Sequence, residues 1–259
     1  MSRTFELLNH HVETVDTAAL GSGMQHDVGI VNQIDQTDVT AFNNQVVAKW
    51  PNFKGKIWDK LTFDCAKKDQ SILEQHGVPH PTTVIKEGVA VSVEGRWNPK
   101  VLRPNYVLFQ EKLQGECVEE DDLKTYEHIR NQVRDMYSIS VELAKSKQGS
   151  LDITGFGTAT SLFHQAIGRQ VRWGIHNLYK NNEDNIVLID TLLLDPKRVP
   201  FAFKDLVLFL GQIQHAAIHR VLSESLDSQN LPHPNVSNSM MKLADFLVRY
   251  RDKRKLRAK

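Results

Sequence analysis

Cysteine is nearly absent: Cys65 and Cys117 stand far apart and outside any CxxC pair. That argues against a disulfide framework and a cysteine zinc site, and it fits a reducing compartment, with the cytoplasm as the expectation. Long apolar runs are lacking too. LVLFLG, ending at Gly211, is far too short to span a bilayer, and the opening MSRTFELLNHHVETVD has no apolar core of the kind a signal peptide needs. No GxxxxGK[ST] occurs, which excludes a Walker A phosphate loop. Net charge is missing as well: 32 Lys+Arg against 31 Asp+Glu leave +1 over 259 residues. Neither nucleic acid nor a membrane surface is expected as a partner, and the basic tail from Arg249 to Lys259 reads as a solvated or frayed helix end. At 41% hydrophobic and 24% charged, what remains is an ordinary folded chain, long enough for one large domain or two lobes sharing a cleft.

The first third reads as strand-rich. VGIVNQI (Val28 to Ile34) alternates, QVVAKW (Gln45 to Trp50) is a short apolar run, and the turn-forming DQTDVTAFNN between them predicts neighbouring antiparallel strands. From Gly55 to His76 the apolar spacing turns helical, with Gly77 and Pro79 as the stop signal. TTVIKEG and YVLFQEKL (Tyr106 to Leu113) predict two more strands. After GECVEEDD, apolar residues at Ile129, Val133, Met136, Tyr137 and Val141 follow a helical rhythm. NIVLIDTLLL (Asn185 to Leu194) reads as one buried strand, and the chain from Phe203 onward as helix. A strand-rich part, 1–112, therefore meets a mainly helical part, 113–259, which defines an α+β class with a cleft between lobes.

Chemistry concentrates in a few segments. In LGSGMQHDVGIV, Gly21 and Gly23 precede a strand and allow backbone N–H groups close to an anion; taken alone, an ordinary tight turn explains them better. Lys49 ends an apolar strand, where an unpaired ammonium is costly to bury, so it needs a carboxylate, a phosphate or an edge facing water. Asp69 and Glu74, on the helix that follows, are the candidate carboxylates. Asn177 lies ahead of a polar turn, and Asp190 ends the strand after it; an amide and a carboxylate at the two ends of a hairpin suit Mg²⁺, which takes few protein ligands. Asp190 as a turn cap is the alternative. His215 and His219 are four apart on a predicted helix and read as ordinary helix histidines rather than a metal pair, since no HExxH glutamate or cysteine stands near them. GFGTATS, from Gly155 to Ser161, reads as a capped helix start or a phosphate-binding one.

Taken in order, these segments resemble the protein-kinase-like superfamily, including its aminoglycoside-phosphotransferase and atypical bacterial kinase branch, over roughly Leu20 to Asp195. The resemblance implies a two-lobed fold that binds ATP and Mg²⁺: a strand-rich N-lobe over 1–112 carrying glycine loop, lysine strand, helix and hinge, and a helical C-lobe over 113–259 carrying the metal-binding hairpin. It implies that GSGMQHDVGIV is the glycine-rich loop with Gly21 and Gly23, and that VVAK supplies Lys49 to the α/β-phosphates. Asp69 takes the place of the helix acid, one methylene shorter than the usual Glu. YVLFQEKLQGE matches the hinge, with Gln110 as gatekeeper and the Glu111 carbonyl and Leu113 N–H toward adenine. Asn177 and Asp190, thirteen residues apart, match the metal-binding pair. The departure is at the catalytic base: Arg172 stands five before Asn177, and Asp152 of LDITG takes the base role if TATSLFHQAIGRQVRW is an insertion. The implied function is phosphoryl transfer from ATP to an unknown hydroxyl acceptor, small molecule or protein. A catalytically inactive nucleotide-binding or scaffolding pseudokinase and an ATP-grasp-like ligase are the alternatives.

Overall fold

The computed structural model describes residues 2–7, 13–16, 19–22, 26–31, 42, 45–51, 62–93, 106–153, 174–198, 201–225, 231–234, 236–243, 245, 246 and 249. The chain forms two compact units: Met1–Ile72 with Pro81–Leu113 and Arg198–Pro200, and Leu73–His80 with Gln114–Lys197 and Phe201–Lys259. The fold is α+β.

Unit 1 holds the strands β1 (Ser2–Leu7), β2 (Glu13–Asp16), β3 (Ala19–Ser22), β4 (His26–Ile30) and β5 (Val46–Pro51), then most of helix α1 (Phe63–Gln75), then β6 (Thr83–Lys86), β7 (Gly88–Val93) and β8 (Val107–Glu111). Five of the strands make one antiparallel sheet in the order β3-β4-β5-β8-β6. Alternation along β5 sorts its side chains: Val46, Ala48 and Trp50 join Val31, Val107 and Phe109 in a buried cluster backed by Phe42 and Val84. Val47 and Lys49 belong to the opposite face by the two-residue period of a strand. The predicted strands at Val28 and Gln45 thus pair as neighbours, with Lys49 opposite Val28 on one side and Leu108 on the other. A second sheet, β2-β1-β7, was not legible from residues. Its first strand, SRTFEL, alternates too weakly to stand out, and it is completed by a partner some eighty positions away.

Unit 2 opens at the end of α1, where Gly77 takes φ 63°. The Gly77 and Val78 N–H groups donate to the carbonyls of Glu74 and Leu73 at 3.1 and 2.9 Å, so the predicted stop is a left-handed glycine cap. Beyond it lie β9 (Gly115–Glu119), α2 (Glu120–Thr125), α3 (Glu127–Lys145), β10 (Ser150–Leu151), β11 (Gly174–Asn181), β12 (Ile186–Leu188), β13 (Leu193–Leu194) and α4 (Phe201–Ser225). GECVEEDD, which carries no apolar alternation, forms β9 and the start of α2 because β11 supplies it with a partner strand. Asp122 then caps α2 by accepting the Glu119 N–H at 2.8 Å. Helix α3 buries Ile129, Val133, Met136, Tyr137, Ser140, Val141 and Leu143, an apolar stripe at the expected spacing. The predicted single strand over 185–194 is two: β12 pairs with β11, and β13 pairs with β10 in a separate ribbon. A continuous apolar run cannot reveal such a break, since both pieces are buried. No helix among the described residues is long and apolar enough to cross a membrane.

Candidate functional site

The residues that resemble a hinge and a phosphate lysine lie on adjacent strands of the unit 1 sheet. Lys49, half-buried, sits in the central strand β5. Gly21 is in β3 opposite Val28, next to a register irregularity, and Gly23 lies outside the described residues. On β8, Gln110 is almost fully buried and its Nε2 donates to Thr83 Oγ1 at 3.0 Å. The Glu111 N–H donates to the Thr82 carbonyl and the Lys112 N–H to the Gln45 carbonyl, at 3.3 and 2.7 Å. Successive backbone groups thus alternate between the flanking strands as the chain runs toward Leu113.

Asp69 is wholly buried on α1 and takes a fork from Arg198: Nη2 donates to Oδ1 at 2.6 Å, and Nη1 donates to Oδ2. Arg198 ends a short 3-10 turn over Pro196–Arg198 and is itself buried. Two planar groups matched in this way make the strongest kind of side-chain ion pair. Sequence reasoning missed Arg198, because DPKRVP looks like a surface loop and its partner is 129 positions away. Glu74 is exposed.

In unit 2 the hairpin β11–β12 gathers three of the candidates. Tyr179 pairs with Val187 and Leu178 with Leu188; the ladder then runs one step further, with the Ile189 N–H donating to the Asn177 carbonyl at 2.9 Å. Asn177 and Asp190, read from the sequence as two ends of a hairpin, therefore share its open end. At the other end Asn181 builds the turn, its Oδ1 accepting the N–H groups of Glu183 and Asn185 at 3.0 and 2.9 Å. Gln132 on α3 holds the hairpin by accepting the Ile186 N–H at 2.9 Å.

Asn177 Nδ2 donates to the backbone carbonyl of Asp152 at 2.7 Å. This brings Asp152, 4% exposed, beside the open end of the hairpin from 25 positions upstream. The Asn177 amide nitrogen is thereby committed to Asp152. Asp190, half-buried, accepts the Leu192 N–H at 3.4 Å. Arg172 and the GFGTATS segment lie outside the described residues.

The strand entering Asp152 is held from behind. Ser140 Oγ accepts the Leu151 N–H at 3.0 Å and lies 2.9 Å from His215 Nε2. Burial pushes His215 down to about 4, so it is neutral near pH 7, and the Tyr137 ring stands edge-on to it at 6.0 Å. His219, 6.3 Å from the same tyrosine and 5.6 Å from His233, is lowered by burial and then by His233. Among the described residues no group of three His, Cys, Asp or Glu could hold a metal.

A stability prediction follows from His215. Its folded pKa is lower than its unfolded one, so on acidification the unfolded chain takes up the proton first. Stability contributed by neutral His215 is complete above about pH 6.5 and is lost as pH falls through about 4. The loss is on the order of 3 kcal/mol. Urea midpoints measured across this range should fall with pH in the wild type and fall less steeply in His215→Gln. Parallel slopes for the two proteins would exclude His215 as the source.

The chain is thus an α+β protein with a lysine-bearing antiparallel sheet in one unit and, in the other, a hairpin end at which Asn177 is hydrogen-bonded to the Asp152 backbone. No family model matches the chain, and no curated protein sequence matches it. Among solved structures it is similar to LicA in complex with AMP, at 12% identity and a TM-score of 0.35, covering 95% of this chain and 93% of that one. It is also similar to the Plasmodium vivax ethanolamine kinase Pv091845, at 9% identity and a TM-score of 0.31, covering 96% and 82%. Neither likeness bears on the role of an individual residue.

Proposed function

We propose that the chain is an ATP- and Mg²⁺-dependent phosphotransferase of the protein-kinase-like type, acting on a hydroxyl acceptor. The observation that carries this reading is the Asn177–Asp152 hydrogen bond at 2.7 Å, which sets a buried carboxylate-bearing residue beside the Asn177–Asp190 hairpin end. In unit 1, Gly21 and Gly23 flank the phosphates, Lys49 contacts them, Asp69 is the helix acid, and the backbone of Glu111 and Leu113 reads adenine.

Asn177 Oδ1 and the Asp190 carboxylate are hard oxygen donors and fit Mg²⁺. When bound, the metal supplies neutralisation of charge on the transferring phosphoryl group. The chain's own part is positioning. Asp152 orients the acceptor hydroxyl and receives its proton as the acceptor oxygen bonds to the γ-phosphorus. The bond from that phosphorus to the β-phosphate oxygen breaks, and ADP leaves. Asn177 contributes twice, by holding the Asp152 backbone through Nδ2 and by presenting Oδ1.

The binding and transfer roles separate in one experiment. ATP·Mg²⁺ at about one hundred times its dissociation constant should add about 2.7 kcal/mol to the wild type and visibly raise its melting temperature. Lys49→Met should lose most of that shift. Asp152→Asn should keep it while losing phosphate transfer. A shift in the wild type with no transfer to any acceptor would make the chain a nucleotide-binding pseudokinase, and no shift at all would remove the nucleotide from the reading.

A further inference from the structure

Unit 2 contains a cavity of about 320 Å³ whose lining includes none of Asp152, Asn177 and Asp190. That is the lower end of the range for small-molecule pockets, roughly 300–1,000 Å³. Its floor is apolar, with Ala144 from the end of α3, Leu194 from β13 and Leu208 from α4. Leu208 is 39% exposed, while Ile213, Ile218 and Leu222 further along the same helix are buried.

Helix α4 presents Lys204, Leu208, Gly211 and His215 to this cavity. Their spacing of four, three and four residues puts them on one helical face. Gly211 stands in the middle of a 25-residue helix, where glycine costs about 0.5–1 kcal/mol against alanine. A Cβ there would meet nothing within 4 Å, so neither packing nor backbone conformation requires the glycine. Its lack of a side chain leaves the cavity open.

The rim is cationic. Lys147, Lys197 and Lys204 all line the cavity, and none has a carboxylate within ion-pair reach among the described residues. Lys197 Nζ instead reaches the Lys147 carbonyl at 3.4 Å, while Lys147 itself is held at φ 59°. The acid in the lining, Asp195, accepts the Lys197 backbone N–H at 2.9 Å and caps the turn that follows it. Three lysines against one aspartate around an apolar floor leave an excess of positive charge, which favours an amphipathic ligand of the opposite sign.

We propose that this cavity is a binding site for a small apolar anion, a carboxylate on a short aliphatic body, seated on Leu194 and Leu208 with its charge among the three lysines. The test titrates the full chain with octanoate, 1-octanol and octylammonium by calorimetry and thermal shift. Octanoate should bind at one site per chain, with 1-octanol at least about fivefold weaker, the worth of a few exposed ion pairs, and octylammonium giving no response. Gly211→Leu fills the space with a good helix former; it should raise the melting temperature of the free protein and abolish the octanoate response. Lys197→Glu/Lys204→Glu reverses the charge at two exposed positions and should weaken octanoate while leaving 1-octanol unchanged. Absence of octanoate binding to the wild type would overturn the assignment. So would equal affinity for octanoate and 1-octanol, or an octanoate response that survives Gly211→Leu.

Discussion

Asp190→Ala should reduce ATP turnover by at least about a hundredfold, the scale seen when a preorganised electrostatic contact to a transition state is removed. Asp121→Ala, at an exposed position on α2, should leave turnover unchanged. The size follows from position. Asp190 comes directly after Ile189, whose N–H is tied to the Asn177 carbonyl, so the ladder itself sets where Asp190 begins. An aspartate placed by a strand loses little order when it binds a cation, and its replacement cannot be made good by a mobile neighbour. Asp190→Asn, which keeps shape and loses charge, separates metal binding from turn capping: the Leu192 N–H bond survives that change, while turnover should not. Equal turnover in wild type, Asp190→Ala and Asp121→Ala would refute the phosphotransferase reading.

The second large effect is on stability. Arg198→Met should destabilise the protein by roughly 3–5 kcal/mol, because it takes the bidentate partner from a buried carboxylate. Asp69→Asn alone should also be costly, since Arg198 is buried on the other side of the same pair. The double variant Asp69→Asn/Arg198→Met should recover much of the loss, as removal of both charges also removes their desolvation penalty. Denaturant midpoints of the four proteins form a double-mutant cycle, and additivity of the two single losses would show that the pair contributes no coupling. Asp69 is also the proposed helix acid. Nucleotide-dependent thermal shift of the double variant therefore separates its structural part, which the methionine restores, from any part in phosphate binding, which it does not.

Local pattern carried the reading a long way where the signal was local. The rhythm from Ile129 to Val141 located α3 because every third or fourth residue must face the same core. Gly77 ended α1 because a left-handed cap is cheap only for glycine. The strands at Val46 and Val107 announced themselves by β-branched and aromatic runs. Where partners were distant the pattern was silent. β9 became a strand because β11 lies beside it, and the run from Asn185 to Leu194 broke in two because β10 takes its second half.

The candidate site divides in the same way. By itself the sequence determined residue types and intervals: a lysine on an apolar strand, an asparagine and an aspartate thirteen apart, two glycines before a strand. Those follow from chemistry that a short stretch of chain already contains. Only the tertiary structure decided that Asp152 stands beside Asn177, that Arg198 clasps Asp69, and that His215 and Ser140 hold Leu151 from behind. Each of these is a hydrogen bond between residues 11 to 129 positions apart. Such bonds depend on how the elements pack, which no spacing along the chain encodes.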